Sequence, residues 1–256
     1  MSATDLHMVQ LGLDAKGLTT LGKMLHLPLS QTDTGYLTHC ALGELFGDDA
    51  PKPFSIESVG SNGENVRVLG YTTANADTLQ TNAQLDASPT VYEICDWDEL
   101  AAKSMPETFP EGMALQFELR ACPVVRKASA DTGKNQHGET RKWKEGDELD
   151  AFLSEAWENP EEDLSREQVY RDWLVDQFDN RGGAKLESAG MTRFSIERMT
   201  RRTQGDDRTV TTIKRPDVAL TGTLQVTDGD AFVELLRSGL GRHKSFGYGM
   251  LKVRRV

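Results

Sequence analysis

The sequence predicts an α+β protein made of two tandem ferredoxin-like domains, each with the RRM-like order βαββαβ. A length of 256 residues and a mass of 28.4 kDa leave room for two domains. Hydrophobic alternation and helix-capping signals give the same order of strands and helices in each half of the chain. The Pro- and Gly-containing segment 103–112 separates the halves, which predicts an N-terminal domain at 1–110 and a C-terminal domain at 111–256.

In the first half, the predicted elements run from a strand at 7–13 to a strand at 90–97. A long connector joins the first strand to a helix at 34–46, which strands at 54–59 and 66–72 and a helix at 74–85 follow. Leu37, Ala41 and Leu45 form the apolar stripe of the 34–46 helix. Tyr36 and His39 lie three residues apart on another face, so the sequence predicts that their side chains are neighbours.

In the second half, alternating apolar residues predict a strand at 113–119, and a capping box at Ser165–Gln168 opens a helix that ends at Gly182. Strands are expected at 192–200, 208–214 and 218–226, followed by a helix at 230–237 and a last strand at 246–254. The segment 127–163 is highly charged and has no clear period. It is therefore predicted to be an insertion or a mobile loop within the C-terminal domain.

Composition and charge exclude several classes of protein. Hydrophobic residues make up 38% of the chain without an apolar run of membrane-spanning length, and the N-terminus has no secretory pattern, so a cytoplasmic protein is expected. Three cysteines without C-x-x-C spacing argue against a disulfide framework and a zinc site.

The net charge of −11 argues against nucleic acid as a partner, but the charge is distributed unevenly. Residues 193–256 carry 13 Lys and Arg against 7 Asp and Glu, whereas residues 1–192 carry 16 against 33. We expect the basic part to meet an anion and the acidic part to face water or a basic partner.

The segment 239–249 is rich in glycine and carries three basic residues at its tip. Its spacing matches neither a P-loop nor a dinucleotide fingerprint, because Lys244 stands where the third glycine should be, so a nucleotide cofactor is not expected. Glycines let the polypeptide backbone come close to a ligand, and its amides together with the basic side chains suit the phosphodiester backbone of a nucleic acid. Phe246 and Tyr248 are predicted to share one strand face, either to stack on bases or to fill the core. The loop residues concerned are Gly239, Gly241, Gly247, Gly249, Arg242, His243 and Lys244.

Several motifs together resemble the CasE family, the CRISPR repeat-processing endoribonucleases of type I-E systems within the repeat-associated mysterious protein (RAMP) superfamily. They are Tyr36-x-x-His39, Arg120-Ala-Cys-Pro123, Tyr170-Arg-Asp-Trp-Leu174, and the run from Leu220-Thr-Gly-Thr-Leu224 through Gly239-Leu-Gly-Arg-His-Lys-Ser-Phe-Gly-Tyr-Gly-Met-Leu251. The C-terminal run is the most specific of these, because order, spacing and position agree.

The resemblance implies a metal-independent cut at the 3′ base of a CRISPR repeat hairpin, without a cofactor. It also implies that the product, the mature crRNA, stays bound and that the protein becomes a subunit of the Cascade complex. By position, His39 would be the general acid/base and Tyr36 its neighbour at the scissile phosphate. Lys214 would stabilise that phosphate, with Arg215 and Arg208 as rivals.

A basic set along the strand pair of the second domain is the candidate surface for the RNA stem. It comprises Arg193, Arg198, Arg201, Arg202, Arg208 and Arg215. Two other functions stay open: a non-catalytic RNA-binding RAMP subunit, and a ferredoxin-like protein that binds a small anion or another protein. His26 and His243 are the alternatives to His39 as the working histidine.

Overall fold

The computed structural model describes residues 5–30, 32–59, 65–135, 137–202 and 210–256. The elements of its first unit are β1 (His7–Asp14), α1 (Ala15–Met24), α2 (Thr34–Phe46), β2 (Phe54–Val59), β3 (Asn65–Thr72), α3 (Ala76–Asp86), α4 (Pro89–Tyr92) and β4 (Cys95–Ser104). The strands form an antiparallel sheet in the order β2-β3-β1-β4. This is the strand order of a ferredoxin-like fold.

The second unit repeats that topology around an insertion. Its elements are β5 (Ala114–Ala121), β6 (Val124–Arg126), β7 (Asp131–Lys134), β8 (Thr140–Trp143), β9 (Glu148–Asp150), α5 (Ala151–Glu158), α6 (Arg166–Arg181), β10 (Ala184–Arg202), β11 (Val210–Val226), α7 (Gly229–Ser238) and β12 (Leu251–Arg255). The main sheet has the antiparallel order β10-β11-β5-β12, which matches the first sheet strand for strand. The predicted fold class is confirmed.

Two predictions in the first half are wrong. The connector after β1 contains helix α1, which Asp14 caps by accepting a hydrogen bond from Gly17 N–H at 2.6 Å. Its Gly and Thr residues are weak helix formers, and the burial of Leu18 and Leu21 stabilises the helix instead. The strand predicted at 90–97 begins only at Cys95, because Pro89 starts the short helix α4.

The segment 127–163, predicted to be an insertion or a mobile loop, is an insertion that is folded over most of its length. Strands β7 and β8 form a hairpin, β9 pairs with β6, and Asp150 caps α5. The segment has few apolar residues among many charged ones, so its sequence shows no hydrophobic period. Trp143 and Leu149 are nevertheless buried, at 6% and 4% exposure.

The strands near the C-terminus also differ from the prediction. Residues 210–226 form one strand, which continues through Pro216. Pro216 is tolerated because pairing with β5 begins only at Val218, so the missing N–H removes no bond from that ladder. The last strand starts at Leu251, and the segment before it is a glycine-rich loop containing a single 3₁₀ turn, Lys244–Phe246.

The two units pack against each other through buried and polar contacts. Tyr71 of β3 lies within the apolar core of the second unit, and its hydroxyl donates to the carbonyl of Leu251 at 2.9 Å. Lys252 of β12 binds Glu57 of β2 at 2.9 Å and Glu118 of β5 at 2.7 Å. These contacts place the N-terminus of α2 against the loop that precedes β12.

Candidate active site

Helix α2 carries the predicted pair of Tyr36 and His39. Its N-cap is Asp33, whose Oδ1 accepts a hydrogen bond from the Tyr36 N–H at 2.9 Å. Ala41, Leu42 and Leu45 are buried against the first sheet. The side chains of Tyr36 and His39 are only partly buried, and their rings lie 6.2 Å apart. The structure therefore brings these two residues together, as the helical spacing predicts.

The glycine-rich loop, residues 239–249, begins and ends close together. Leu240 N–H donates to the carbonyl of Gly249 at 2.9 Å, and Gly249 N–H donates to the carbonyl of Arg120 at 2.8 Å. The four predicted glycines, Gly239, Gly241, Gly247 and Gly249, all have positive φ. A Cβ at Gly249 would also lie 2.4 Å from the carbonyl oxygen of Leu240, so this closure requires glycine.

The loop places Phe246 against the face of α2 that carries Tyr36 and His39. The Phe246 ring stacks on Tyr36 with centroids 5.7 Å apart and lies 6.0 Å from the His39 ring. The helix approaches so closely that a Cβ at Gly35 would lie 2.5 Å from the Phe246 carbonyl oxygen. Three rings from two units thus form one cluster, which we call the ring cluster: Tyr36, His39 and Phe246.

Phe246 and Tyr248 do not share a strand face. Phe246 ends the 3₁₀ turn, whereas Tyr248 is buried at 3% exposure beneath the loop. The guanidinium of Arg120 lies 4.5 Å from the centre of the Tyr248 ring and forms a two-point ion pair with Asp217, with both hydrogen bonds at 2.9 Å. Tyr248 is therefore a core residue, and Arg120 links the loop to the sheet.

The environment of His39 favours a neutral imidazole. Burial lowers the pKa of His39 below its ordinary value, and the positive charge of Lys52 lowers it further. At neutral pH the ring is therefore mainly unprotonated and is ready to accept a proton.

Glu148 of the insertion binds several of the predicted RNA-binding residues. Its carboxylate, 9% exposed, lies 3.1 Å from Arg215 Nη2 and 3.1 Å from His243 Nε2, and it also accepts a hydrogen bond from Arg242 Nε. The approach of His243 and the charge of Arg242 lower the pKa of Glu148 to about 2, although burial opposes this shift. Arg215 and His243 are therefore largely committed to a contact within the protein.

Lys244 lies in the 3₁₀ turn of the loop, and the remaining predicted basic residues lie along strands β10 and β11 or outside the described part. Arg193 binds the buried Asp217 at 3.2 Å, and Arg198 borders a small cleft beside Asp33, Gly35 and Phe246. Lys214 pairs with Arg198 across strands β10 and β11, and its side chain is exposed. Its neighbour Ile213 lies on the opposite face of this strand pair and packs on the same buried cluster as Phe246. Arg208 lies outside the described residues, and only the backbone of Arg201 and Arg202 is described.

Three residues near the ring cluster were not identified from the sequence. Lys52 has no motif around it, and Glu148 is separated by 67 and 94 residues from Arg215 and Arg242. Asp33 is a residue type that commonly caps helices, so its first contact is predictable. In its second contact, Oδ2 accepts a hydrogen bond from the Thr200 N–H of β10 at 3.1 Å, and this contact depends on the packing of the two units. Only the Asp33 cap had a sequence signal.

The site has no recognisable metal-binding cluster in the parts of the chain that the structure describes. Cys40, Cys95 and Cys122 form no disulfide, and Cys95 and Cys122 are buried. Within the same described residues, no helix is long and apolar enough to cross a membrane.

Comparison with known proteins gives one family and a set of structures with the same fold. The model of a family described as CRISPR associated protein matches residues 6–255. A solved structure of the CRISPR endoribonuclease Cse3 bound to a 19-nucleotide RNA has a TM-score of 0.58 and 16% identity, covering 97% of this chain and 99% of that one. No curated protein sequence matches significantly.

Two further structures have similar scores. Cas6e from Escherichia coli K-12 has a TM-score of 0.57 and 19% identity, over 98% of this chain and all of that one. Thermus thermophilus Cse3, bound to an RNA that represents a pre-cleavage complex, has a TM-score of 0.54 and 15% identity, over 98% and 99% of the two chains. At these identities the structures show a shared fold.

Proposed function

This chain belongs to the CRISPR-associated protein family, and we propose that it is a metal-independent endoribonuclease that cuts CRISPR repeat hairpins. The observation that carries the proposal is the ring cluster, in which His39 and Tyr36 of one unit meet Phe246 of the other at 6.0 and 5.7 Å. Further support comes from the fold, which is shared with CRISPR endoribonucleases that bind RNA.

In the proposed reaction, the nucleophile belongs to the RNA. The 2′-oxygen attacks the adjacent phosphorus while His39 accepts the 2′-hydroxyl proton, and the bond from phosphorus to the 5′-oxygen breaks. The products are a 2′,3′-cyclic phosphate and, once the leaving oxygen has taken up a proton, a 5′-hydroxyl. A neutral imidazole suits the base role, and the lowered pKa of His39 keeps it neutral at physiological pH.

The other residues of the site have supporting roles. Tyr36 lies beside the scissile phosphate, and Phe246 keeps the Tyr36 and His39 rings in place by stacking. Each step is a proton transfer or the stabilisation of negative charge on the phosphate. The proposal therefore uses protein side chains alone and involves no metal ion or cofactor.

We propose that the RNA stem lies along the β10–β11 ribbon and the glycine-rich loop. Arg193, Arg198 and Lys214 are exposed on the ribbon, and Arg242 is 48% exposed on the loop. An A-form stem is recognised mainly through phosphates and 2′-hydroxyls, which such cations bind. Because Lys214 is exposed, we assign it to binding of the RNA stem, whereas the family resemblance assigns it to stabilisation of the scissile phosphate.

After cleavage, the 3′ hairpin of the crRNA is proposed to stay bound, so that the protein enters a Cascade complex. The acidic surface of residues 1–192 is then available to the basic surfaces of other subunits.

The test uses an end-labelled repeat hairpin from the same organism, incubated with the protein in excess EDTA. A matched RNA carries a single 2′-deoxy substitution at the base of the stem. We expect one cut in the first RNA, with a cyclic phosphate end, and no cut in the second. Binding of both RNAs without cleavage would instead support a non-catalytic RNA-binding subunit and would overturn the proposed nuclease.

A further inference from the structure

A cleft of about 430 Å³ lies beside the ring cluster, and basic side chains from three separate parts of the chain line it. Lys52 precedes β2, Arg181 is the last residue of α6, and Lys244 belongs to the 3₁₀ turn of the glycine-rich loop. Arg242, His243 and Phe246 complete the same wall. We call this feature the cationic cleft.

The cationic cleft has more positive than negative charge. Among the described residues, Glu148 is the one carboxylate that lines it, and this carboxylate is occupied by Arg215, Arg242 and His243. Within the described ranges, neither Lys52 nor Arg181 forms an ion pair. Lys244 Nζ donates to the carbonyl of Ser238 at 2.7 Å, so it too has no carboxylate partner.

The three cations are close enough to repel one another. Burial lowers the pKa of Lys244 from its ordinary value, and the charges of Arg181 and Lys52 lower it further. Lys52 has the same effect on His39, which places its charge next to the ring cluster. Like charges gathered without counter-charges are unfavourable until an anion binds between them.

The position of the cleft identifies the anion. The cleft shares Phe246 with the ring cluster, so an RNA strand whose 2′-hydroxyl reached His39 would bring its neighbouring phosphates toward the cleft. Cations and loop backbone groups suit phosphate oxygens, and the mainly polar walls do not suit a base.

We propose that the cationic cleft binds the RNA backbone at the cut, with Lys52 on the scissile phosphate and Arg181 and Lys244 on the adjoining phosphates. This inference rests on the proposed function. It assigns to Lys52 the stabilisation of the charge that builds up on the phosphorane, and it makes Lys52 a catalytic residue. Arg181 and Lys244 serve binding.

The first experiment measures single-turnover cleavage at saturating RNA for the wild type, Lys52→Met and Lys52→Arg. Removing one charge-stabilising donor typically costs about 100-fold in rate, so we expect that loss for Lys52→Met and a partial recovery for Lys52→Arg. We also expect the acid limb of the pH–rate profile of Lys52→Met to move to higher pH, since the lowering effect of Lys52 on the pKa of His39 is gone. Lys23→Met, an exposed lysine of α1 outside the cleft, is the matched control and should cut like the wild type.

The second experiment measures the affinity of the same variants and of Arg181→Gln for the 2′-deoxy hairpin, which cannot be cut. We expect Arg181→Gln to weaken binding several-fold and to reduce the salt dependence by about one released counterion. Thermal melts of each variant, required to match the wild type, exclude misfolding as the cause.

The two proposals fail in different ways. If the wild type cuts the hairpin and Lys52→Met cuts it equally fast, with an unmoved pH profile, the catalytic assignment of Lys52 is overturned and the proposed function stands. If the wild type binds RNA without cutting it, the proposed nuclease is overturned, and with it the catalytic part of this inference. Unchanged affinity in both Lys52→Met and Arg181→Gln would overturn the cleft as a phosphate site in either case.

Discussion

The two units have the same topology but differ in the connection between their last helix and last strand. In the first unit this connection contains α4, where Val91 and Ile94 are buried and Tyr92 stacks on Trp97 at 4.5 Å. In the second unit it is the glycine-rich loop, which carries Arg242, His243 and Lys244. One fold position thus serves packing in one unit and, in the proposed function, RNA contact in the other, which is expected if function lies in the connection and not in the shared fold.

Helices α2 and α6, each of which leads into the second strand of its main sheet, differ in the opposite sense. Helix α6 buries Tyr170, Trp173 and Leu174 in the core of the second unit. Helix α2 leaves Tyr36 and His39 partly exposed toward the loop of the other unit. We infer a division of labour in which the first unit supplies the groups that act at the scissile phosphate and the second unit supplies most of the RNA-binding surface. The predictions below test this division by separating cleavage rate from affinity and from stability.

His39→Ala should have the largest effect. We expect the single-turnover rate to fall by about 10²- to 10⁴-fold, the usual value of general acid/base catalysis, with the RNA dissociation constant almost unchanged. The wild-type rate should also fall as the pH drops through the lowered pKa of His39, because a protonated ring cannot accept the 2′-hydroxyl proton. His26→Asn is the control histidine, since asparagine tolerates the positive φ of that position. Equal losses of rate and affinity in His39→Ala would contradict the division.

Glu148→Gln should act on the stability of the second unit. The ionised carboxylate has a pKa of about 2 in the folded protein, well below its ordinary value of 4.5, so its ionisation stabilises the fold. With solvent screening of this partly buried group, we expect an effect of about 1–2 kcal/mol. That contribution is fully present above pH 4.5 and is lost as the pH falls toward 2. Urea unfolding at pH 7 should show the loss in Glu148→Gln and not in Glu145→Gln, an exposed neighbour. Equal stability of the two variants would show that the carboxylate does not hold the loop.

Asp33→Asn should uncouple the units with a smaller effect, about a 10-fold slower cut at saturating RNA. In the wild type, Asp33 Oδ2 accepts a hydrogen bond from the Thr200 N–H at 3.1 Å. Asparagine still caps α2 through its side-chain oxygen, but its NH₂ group then faces the Thr200 N–H. Both groups are donors, so the hydrogen bond is lost and the two groups repel each other. Small displacements of catalytic groups are enough for such a loss. Asp14→Asn changes the cap of α1 in the same way, away from the bond to Thr200, and should leave the rate unchanged. A wild-type rate for Asp33→Asn would show that this bond does not position His39.

Lys214→Ala should have the smallest effect. From its exposed position on β11 we expect a several-fold weaker affinity, with a saturating rate within about twofold of the wild type. The family resemblance instead predicts a slower cut at saturating RNA. Lys185→Ala, another exposed lysine at the far end of β10, is the control. A rate loss of about 10-fold would assign Lys214 to the scissile phosphate.

Local signals in the sequence predict most of the fold and part of the site. The alternation of Val218, Leu220, Leu224 and Val226, the capping box at Ser165 and the spacing of Tyr36 and His39 each involve residues close in sequence, so they are readable directly. Helix α1 is stabilised by burial and not by propensity, and it was therefore missed.

The contacts that assemble the site are distant in sequence. Lys52, Glu148 and Arg181 approach the loop only after the two units and the insertion have packed together. No periodicity or spacing connects such residues. The sequence therefore predicts neighbours within one helix, such as Tyr36 and His39, better than the residues that other elements bring beside them.

Strand β10 is the open edge of the second sheet, and along most of its 19 residues no other described strand covers its outer side. An uncovered edge of this length invites pairing with the same edge of another molecule. Arg193, Glu197 and Arg198 place charges along it, and charge on an edge strand discourages such pairing. We therefore expect the arginines proposed to bind the RNA stem also to oppose self-association of the RNA-free protein, and their replacement by apolar residues to reduce solubility as well as affinity.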